Sequence, residues 1–236
     1  MTTPPPDDPH PAVPYGTPEA PRIAVRGEAR LEVDPEIARI VVTVATRGKD
    51  RRTALDDLTR RNTTTLDLIK TYGDAVERLE TGAFSITPEL TKHGRGERIH
   101  AYHGRVHITA ELTDFTALGE LTTRLADQEL TRVDGPAWAL RPDSPAHRQA
   151  RQQAVKEAVQ RAREYAEALG TSLAALVELA DIGAENHEPY AVAGNARMRS
   201  AAFAAEDAAA SLDLEPQRQR VYAQVNARFT MAPPRL

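Results

Sequence analysis

Apolar and charged positions alternate along residues 22–33, which read RIAVRGEARLEV. Small or apolar residues hold one parity and mostly charged residues the other: Ile23, Val25, Gly27, Ala29, Leu31 and Val33 against Arg22, Arg26, Glu28, Arg30 and Glu32. A repeat of two is that of a β-strand with one buried and one solvated face. Asp34-Pro35 interrupts the run, and a second alternation begins at Ile40. The pattern therefore predicts two strands joined as an antiparallel hairpin.

Three segments instead repeat apolar residues at the spacing of an α-helix, namely 50–72, 114–128 and 144–170. Asp50 and Asp114 are suitable N-caps for the first two, because a carboxylate accepts hydrogen bonds from free backbone N–H groups. A proline in the first turn and a glycine just past the end bound the third helix. Its apolar stripe consists of alanines at every fourth position, followed by Leu169: Ala150, Ala154, Ala158, Ala162 and Ala166. Small side chains predict that this helix packs closely on a sheet or another helix.

Five further segments read as strands: 76–90, 102–112, 131–141, 173–182 and 221–231. The predicted order is ββαββαβαββ. Pairs of neighbouring strands with interspersed helices are typical of an α+β fold.

Composition excludes several classes of function. The chain has 236 residues, of which 41% are hydrophobic and 27% charged, as in ordinary soluble globular proteins. A net charge of −4 argues against nucleic acid as the main partner. The absence of cysteine excludes disulfides, thiolate metal sites and a cysteine nucleophile. No run approaches the roughly 20 apolar residues of a membrane span.

Residues 1–20 are rich in proline and slightly acidic. Such a segment buries too little apolar surface to offset its ordering entropy, which predicts a disordered tail before a single domain at residues 21–232. The segment has neither the basic start nor the apolar centre of a secretory signal. We therefore expect a cytoplasmic protein.

Residues 184–215 break the periodicity and are rich in alanine. The segment is longer than most ordered loops of compact domains, although a short helix over 195–210 is compatible with it. Three interpretations remain open, namely docking on a neighbouring subunit, a lid over a ligand, and disorder. The candidates for an oligomer contact are Tyr190, Met198 and Phe203.

The best candidates for ligand chemistry are His103, Arg105 and His107, which share the polar face of strand 102–112. An arginine between two histidines can hold an anion. A metal shared by the two histidines is not expected, because four strand residues span about 13 Å and a metal–histidine bond is about 2 Å. A metal site would need His93 or a residue of another strand. No metal and no other cofactor is predicted.

No catalytic residue is assigned, because the chain contains no G-x-S-x-G elbow, P-loop or dinucleotide-binding fingerprint. An acidic run surrounds the first turn: Glu28, Glu32, Asp34 and Glu36. Paired carboxylates perform acid–base chemistry or bind hard cations. Arginines alternate with these carboxylates, however, so a salt-bridged sheet face is the better interpretation.

An ordered series of short matches extends over residues 22–231. They are I-x-V-x-G-E-A at 23–29, V-D-P-E-I-A at 33–38, L-E-T-G-A-F-S-I-T-P at 79–88, the alanine-striped helix with L-G-T-S-L at 169–173, and the last strand at 221–231. In this series the chain resembles the SIMPL-domain family, which includes bacterial periplasmic immunogenic proteins and oxidative-stress defence proteins.

The resemblance implies a curved, largely antiparallel sheet with a long helix against it. The family has no established catalytic residues, some members form ring-like oligomers, and a eukaryotic member is a signalling adaptor. We therefore expect a non-enzymatic protein that self-associates, with a scaffold or stress-protection role. The alternative is a small-molecule or anion-binding protein, or an enzyme, that uses the face around His103, Arg105 and His107. An adaptor with a protein partner that the sequence does not identify also remains open.

Overall fold

A computed structural model of the protein describes residues 16–90, 99–181 and 212–235. Within these ranges the α+β class and the predicted element order are confirmed. The elements are β1 Arg22–Val33, β2 Ile37–Gly48, α1 Arg51–Lys70, β3 Val76–Leu90, β4 Ile99–Leu112, α2 Phe115–Ala126, β5 Thr131–Ala139, α3 Pro145–Ala168, β6 Leu173–Asp181 and β7 Gln219–Met231. A single 3-10 turn, Gly73–Ala75, joins α1 to β3.

The strands form two sheets, ordered β1-β7-β6 and β3-β4-β2-β5. Pairing is antiparallel for β2 with β4, β2 with β5, β3 with β4 and β6 with β7. The predicted hairpin of β1 and β2 is wrong, because β1 pairs with β7 and β2 lies between β4 and β5. Alternation specifies which face of a strand is buried, but it does not specify the neighbouring strand. The single sheet that the resemblance implied is therefore divided in two.

The described residues form two compact units. The three-stranded unit contains β1, α3, β6 and β7, and the four-stranded unit contains β2 to β5 with α1 and α2. The single domain predicted for residues 21–232 stays a prediction. Most of the predicted tail, residues 1–15, lies outside the described residues.

The core of the four-stranded unit lies between its sheet and the two helices. Its buried side chains come from β2, β4, α1 and α2: Ala38, Ile40, Val42, Val44, Leu58, Ile69, Val106, Ile108, Ala110, Leu112, Leu118, Leu121 and Leu125. Asp50 and Asp114 cap α1 and α2 as predicted. Trp138 packs edge-on against Phe115 of α2, with ring centroids 4.8 Å apart.

One large apolar residue of α1 is on the surface. Leu55 is 42% exposed, whereas its neighbour Ala54 is fully buried. A Cβ atom on Gly48 would lie 2.7 Å from the Ala54 backbone nitrogen, so α1 begins in tight contact with the end of β2. Successive side chains of a helix point in different directions, so with Ala54 against β2 the side chain of Leu55 faces the surface.

The predicted alanines of α3 are buried, namely Ala150, Ala154, Ala158, Ala162 and Ala166, and so is Ala146. Leu169, the last residue of the predicted stripe, is 39% exposed instead. The stripe packs against β1 at Gly27, where a Cβ atom would lie only 2.0 Å from the Ala154 carbonyl oxygen. The absence of a side chain at Gly27 therefore allows the backbone of the helix to approach the strand. At its C-terminus the helix ends before Gly170, which has a φ of +66° and so favours glycine.

Candidate functional site

The three sequence-predicted site residues lie together on the open face of the four-stranded sheet, opposite its helices. His103, Arg105 and His107 occupy alternate positions of β4, and all three are exposed. Their cross-strand neighbours on β2 are Arg47, Ala45 and Thr43, respectively. Their alternate positions along the strand therefore predicted correctly that they share one face. We call the surface formed by these three residues and their neighbours on β2 the polar face.

Hydrogen bonds join the polar face across strands. His103 Nε2 lies 2.7 Å from Glu89 Oε2, and Arg47 donates to the same oxygen from Nε and Nη2 at 3.0 and 2.9 Å. These bonds hold the pKa of the Glu89 carboxyl below its usual value. The bond with His103 has the largest effect, followed by that with Arg47. His107 Nδ1 lies 3.0 Å from Thr43 Oγ1. The three partners come from β2 and β3, so sequence spacing alone did not identify them.

Arg105 differs from its two neighbours on the polar face. Within the described ranges its guanidinium has no ion-pair partner, although it lies between two histidines that are each engaged. A cation without a carboxylate partner retains its full attraction for an anion. The face is open, however, and four surface depressions of the described residues are lined by other side chains.

The described residues hold no group of three or more histidine, aspartate or glutamate side chains arranged for a metal ion. His103 and His107 are four positions apart on one strand, as the sequence indicated. The third candidate, His93, lies outside the described residues, in the gap at 91–98.

Two of these depressions lie away from the polar face and differ in their lining residues. One, of about 360 Å³, is lined by Arg60 and Arg61, but both guanidinium groups pair with Asp57, and Arg61 also lies 3.6 Å from Glu129. The other is a groove of about 450 Å³ between α3 and β6, whose lining is part polar and part apolar and includes Leu173 and Leu176. The sequence did not predict this groove, because it depends on how the helix lies across the sheet.

Three carboxylates of the acidic run form ion pairs with arginines, as predicted, and the fourth, Glu36, accepts a hydrogen bond from the Arg141 backbone N–H at 2.9 Å. Glu28 lies between two arginines of its own strand, at 3.9 and 4.0 Å. Glu32 pairs with Arg220 at 3.1 Å and Asp34 with Arg218 at 3.3 Å. The geometry therefore favours ion pairs between carboxylates and arginines over a site with two adjacent carboxylates.

The predicted oligomer contacts Tyr190, Met198 and Phe203 lie outside the described residues, in the gap at 182–211. The end of the predicted loop is described and packs on α2. The Leu212 backbone nitrogen donates to Thr123 Oγ1 at 3.2 Å, and a Cβ atom on Gly119 would lie 2.3 Å from the Leu212 carbonyl oxygen.

The model of the family SIMPL, a protein of unknown function (DUF541), matches residues 23–229. The chain belongs to the SIMPL family. The resemblance drawn from the sequence motifs is thereby confirmed.

Two relatives of this SIMPL protein carry the name 26 kDa periplasmic immunogenic protein, one from Brucella melitensis and one from Brucella abortus. Each is 26% identical over 170 residues, which cover 68% of this chain and 66% of the relative's own length. The aligned segment thus spans about two thirds of this chain and of each relative.

The prediction of a cytoplasmic location is wrong, because the relatives are named as periplasmic proteins. That prediction rested on the lack of a recognisable leader among the first residues. Such a lack is not positive evidence for any compartment. Among the described helices, none combines the length and the apolar composition needed to cross a membrane.

Proposed function

We propose that this SIMPL protein is a non-enzymatic protein that acts as a homo-oligomer, in a scaffold or stress-protection role. The observation that carries the proposal is the exposure of large apolar side chains on edge strands of both sheets. Phe84 of β3 is 66% exposed and Leu176 of β6 is 54% exposed. Exposed apolar residues on edge strands, which have one free side, favour association with another chain.

The comparisons support the non-enzymatic part of the proposal. The family description states no activity, and the relatives' printed names give a location and an immunogenic property but no reaction. These names also support a periplasmic setting. A chain without cysteine has no thiol that an oxidising compartment would alter.

The mass in solution tests self-association directly. Multi-angle light scattering should give a discrete multiple of 25.8 kDa that persists on dilution. A strictly monomeric mass over a wide concentration range would contradict the proposal.

A variant with residues 184–211 replaced by a Gly-Ser linker of equal length tests the contacts assigned to Tyr190, Met198 and Phe203. We expect a lower mass for this variant, whereas an unchanged mass would remove these three residues from the interface.

A second candidate function, anion binding, is favoured by Arg105, the guanidinium on the polar face without an ion pair among the described residues. If this function holds, inorganic phosphate should shift the backbone amide NMR signals of β4, and Arg105→Ala should abolish the shifts. Arg132→Ala is the matched control, since Arg132 is also exposed on this sheet but pairs with Asp134 at 2.6 Å. Equal shifts in the wild type and in Arg105→Ala would exclude the site.

A further inference from the structure

The strand β6 is an edge of the three-stranded sheet whose apolar residues are not covered. It pairs with β7 on one side, and no described strand pairs with it on the other. Two register shifts interrupt the pairing with β7, between Leu173 and Ala175 and between Leu176 and Glu178. Each shift inserts one extra residue, so side chains three positions apart point to the same face.

The shifts bring three leucines into one row, which we call the leucine row. Leu173, Leu176 and Leu179 lie opposite Met231, Phe229 and Ala227 of β7. Those three β7 residues are buried, and Phe229 lines the groove beside α3, whereas Leu176 is 54% and Leu179 46% exposed. The leucine row therefore continues the apolar face of the sheet beyond the edge of the helix.

The opposite edge of the same sheet shows how such exposure is normally avoided. The exposed positions of β1 are largely charged, and its carboxylates Glu28 and Glu32 form ion pairs with arginines. Charged side chains on an edge strand discourage association with another chain. Between residues 173 and 180, β6 carries one charge, Glu178, and Arg228 of β7 neutralises it at 2.5 Å.

The rim of the groove beside the leucine row carries two opposite charges, Arg163 and Glu167 of α3. They are four positions apart on one helix, yet they do not pair with each other, and neither has an ion pair among the described residues. A two-fold axis perpendicular to α3 and passing midway between these two residues would place Arg163 of one copy near Glu167 of the other, and the reverse. The charges of the rim are therefore complementary to a second copy of the same rim.

The leucine row has the same symmetry, because Leu173 and Leu179 are equally far in sequence from Leu176. We propose that the leucine row packs against the leucine row of a second copy across a two-fold axis close to Leu176, with reciprocal Arg163–Glu167 ion pairs at the rim. This inference rests on the proposed self-association and assigns it a surface. An isologous contact of this kind buries the apolar row without requiring any other partner.

Charge reversal and its rescue test the contact with the full-length chain. Arg163→Glu places two glutamates near each other twice per dimer and should weaken self-association at least about tenfold. The double variant Arg163→Glu with Glu167→Arg restores opposite charges across the axis and should recover wild-type association. Arg148→Glu, on the same helix but outside the groove lining, is the matched control and should associate as the wild type does.

Crosslinking tests the position of the axis, because the chain has no native cysteine. Leu176→Cys should form a disulfide-linked dimer under mild oxidation, since a residue close to a two-fold axis lies near its own copy. Tyr222→Cys, at a position of β7 that is 48% exposed, is the control and should stay uncrosslinked.

The outcomes separate the two proposals. A wild type that is monomeric in light scattering overturns the proposed function, and this contact with it. An oligomeric wild type that is unaffected by Arg163→Glu, and whose Leu176→Cys variant gives no crosslink, overturns this contact alone. A monomeric Leu176→Cys variant whose thiol reacts slowly with maleimide shows that the chain covers its own leucine row, which also overturns the contact.

Discussion

Gly27→Ala should destabilise the three-stranded unit by about 3 kcal/mol or more. An added Cβ atom would lie 2.0 Å from the Ala154 carbonyl oxygen and 2.6 Å from the Ala158 backbone nitrogen. Both are backbone atoms of a long helix, so no side-chain rotation relieves the clash. The helix must move away from β1, and the alanine stripe then loses its contact with the sheet. Urea unfolding followed by circular dichroism measures the loss.

Gly82→Ala is the matched control for this prediction. Gly82 also lies in a strand, but the nearest atom to an added Cβ is the His107 carbonyl oxygen at 3.6 Å, which is an ordinary contact. We expect a change within about 0.5 kcal/mol. If the two glycine variants unfolded at the same urea concentration, α3 would not lie on β1 as closely as described.

Ile108→Ala should lower the free energy of unfolding of the four-stranded unit by about 2–5 kcal/mol. Ile108 is fully buried on β4, a central strand, and lies opposite Val42, which is also fully buried. Truncation removes buried methyl and methylene groups and leaves a cavity between the sheet and its helices. Because both neighbouring strands hold β4 in place, the surroundings can collapse only partly into that cavity.

The control for Ile108→Ala is Phe84→Ala on the adjacent strand β3. Phe84 is a larger apolar residue but remains mostly exposed, so its truncation should cost less than about 1 kcal/mol in the monomer. Thermal or urea unfolding at low protein concentration compares the two variants. A greater loss of stability for Phe84→Ala than for Ile108→Ala would contradict the described core.

The candidate site shows how far spacing along one strand can predict a surface. The period of two on β4 placed His103, Arg105 and His107 on one exposed face, as the structure has them. It did not predict that Glu89 bridges His103 and Arg47, because this contact depends on the register between three strands. Nor did it predict the leucine row, since residues three apart alternate between faces on a regular strand.

The sequence by itself determined the ten main elements, the caps of the helices, the alanine stripe of α3 and the family. These features are local, because alternation, capping residues and i, i+4 spacing act within one segment and do not depend on the neighbours. Only the tertiary structure decided that β1 pairs with β7, that Leu55 turns outward and that the strands divide into two sheets. These features depend on contacts between residues far apart in sequence, such as Gly27 with Ala154. The register shifts of β6 are of the same kind, and they alone bring the three leucines of the proposed contact to one face.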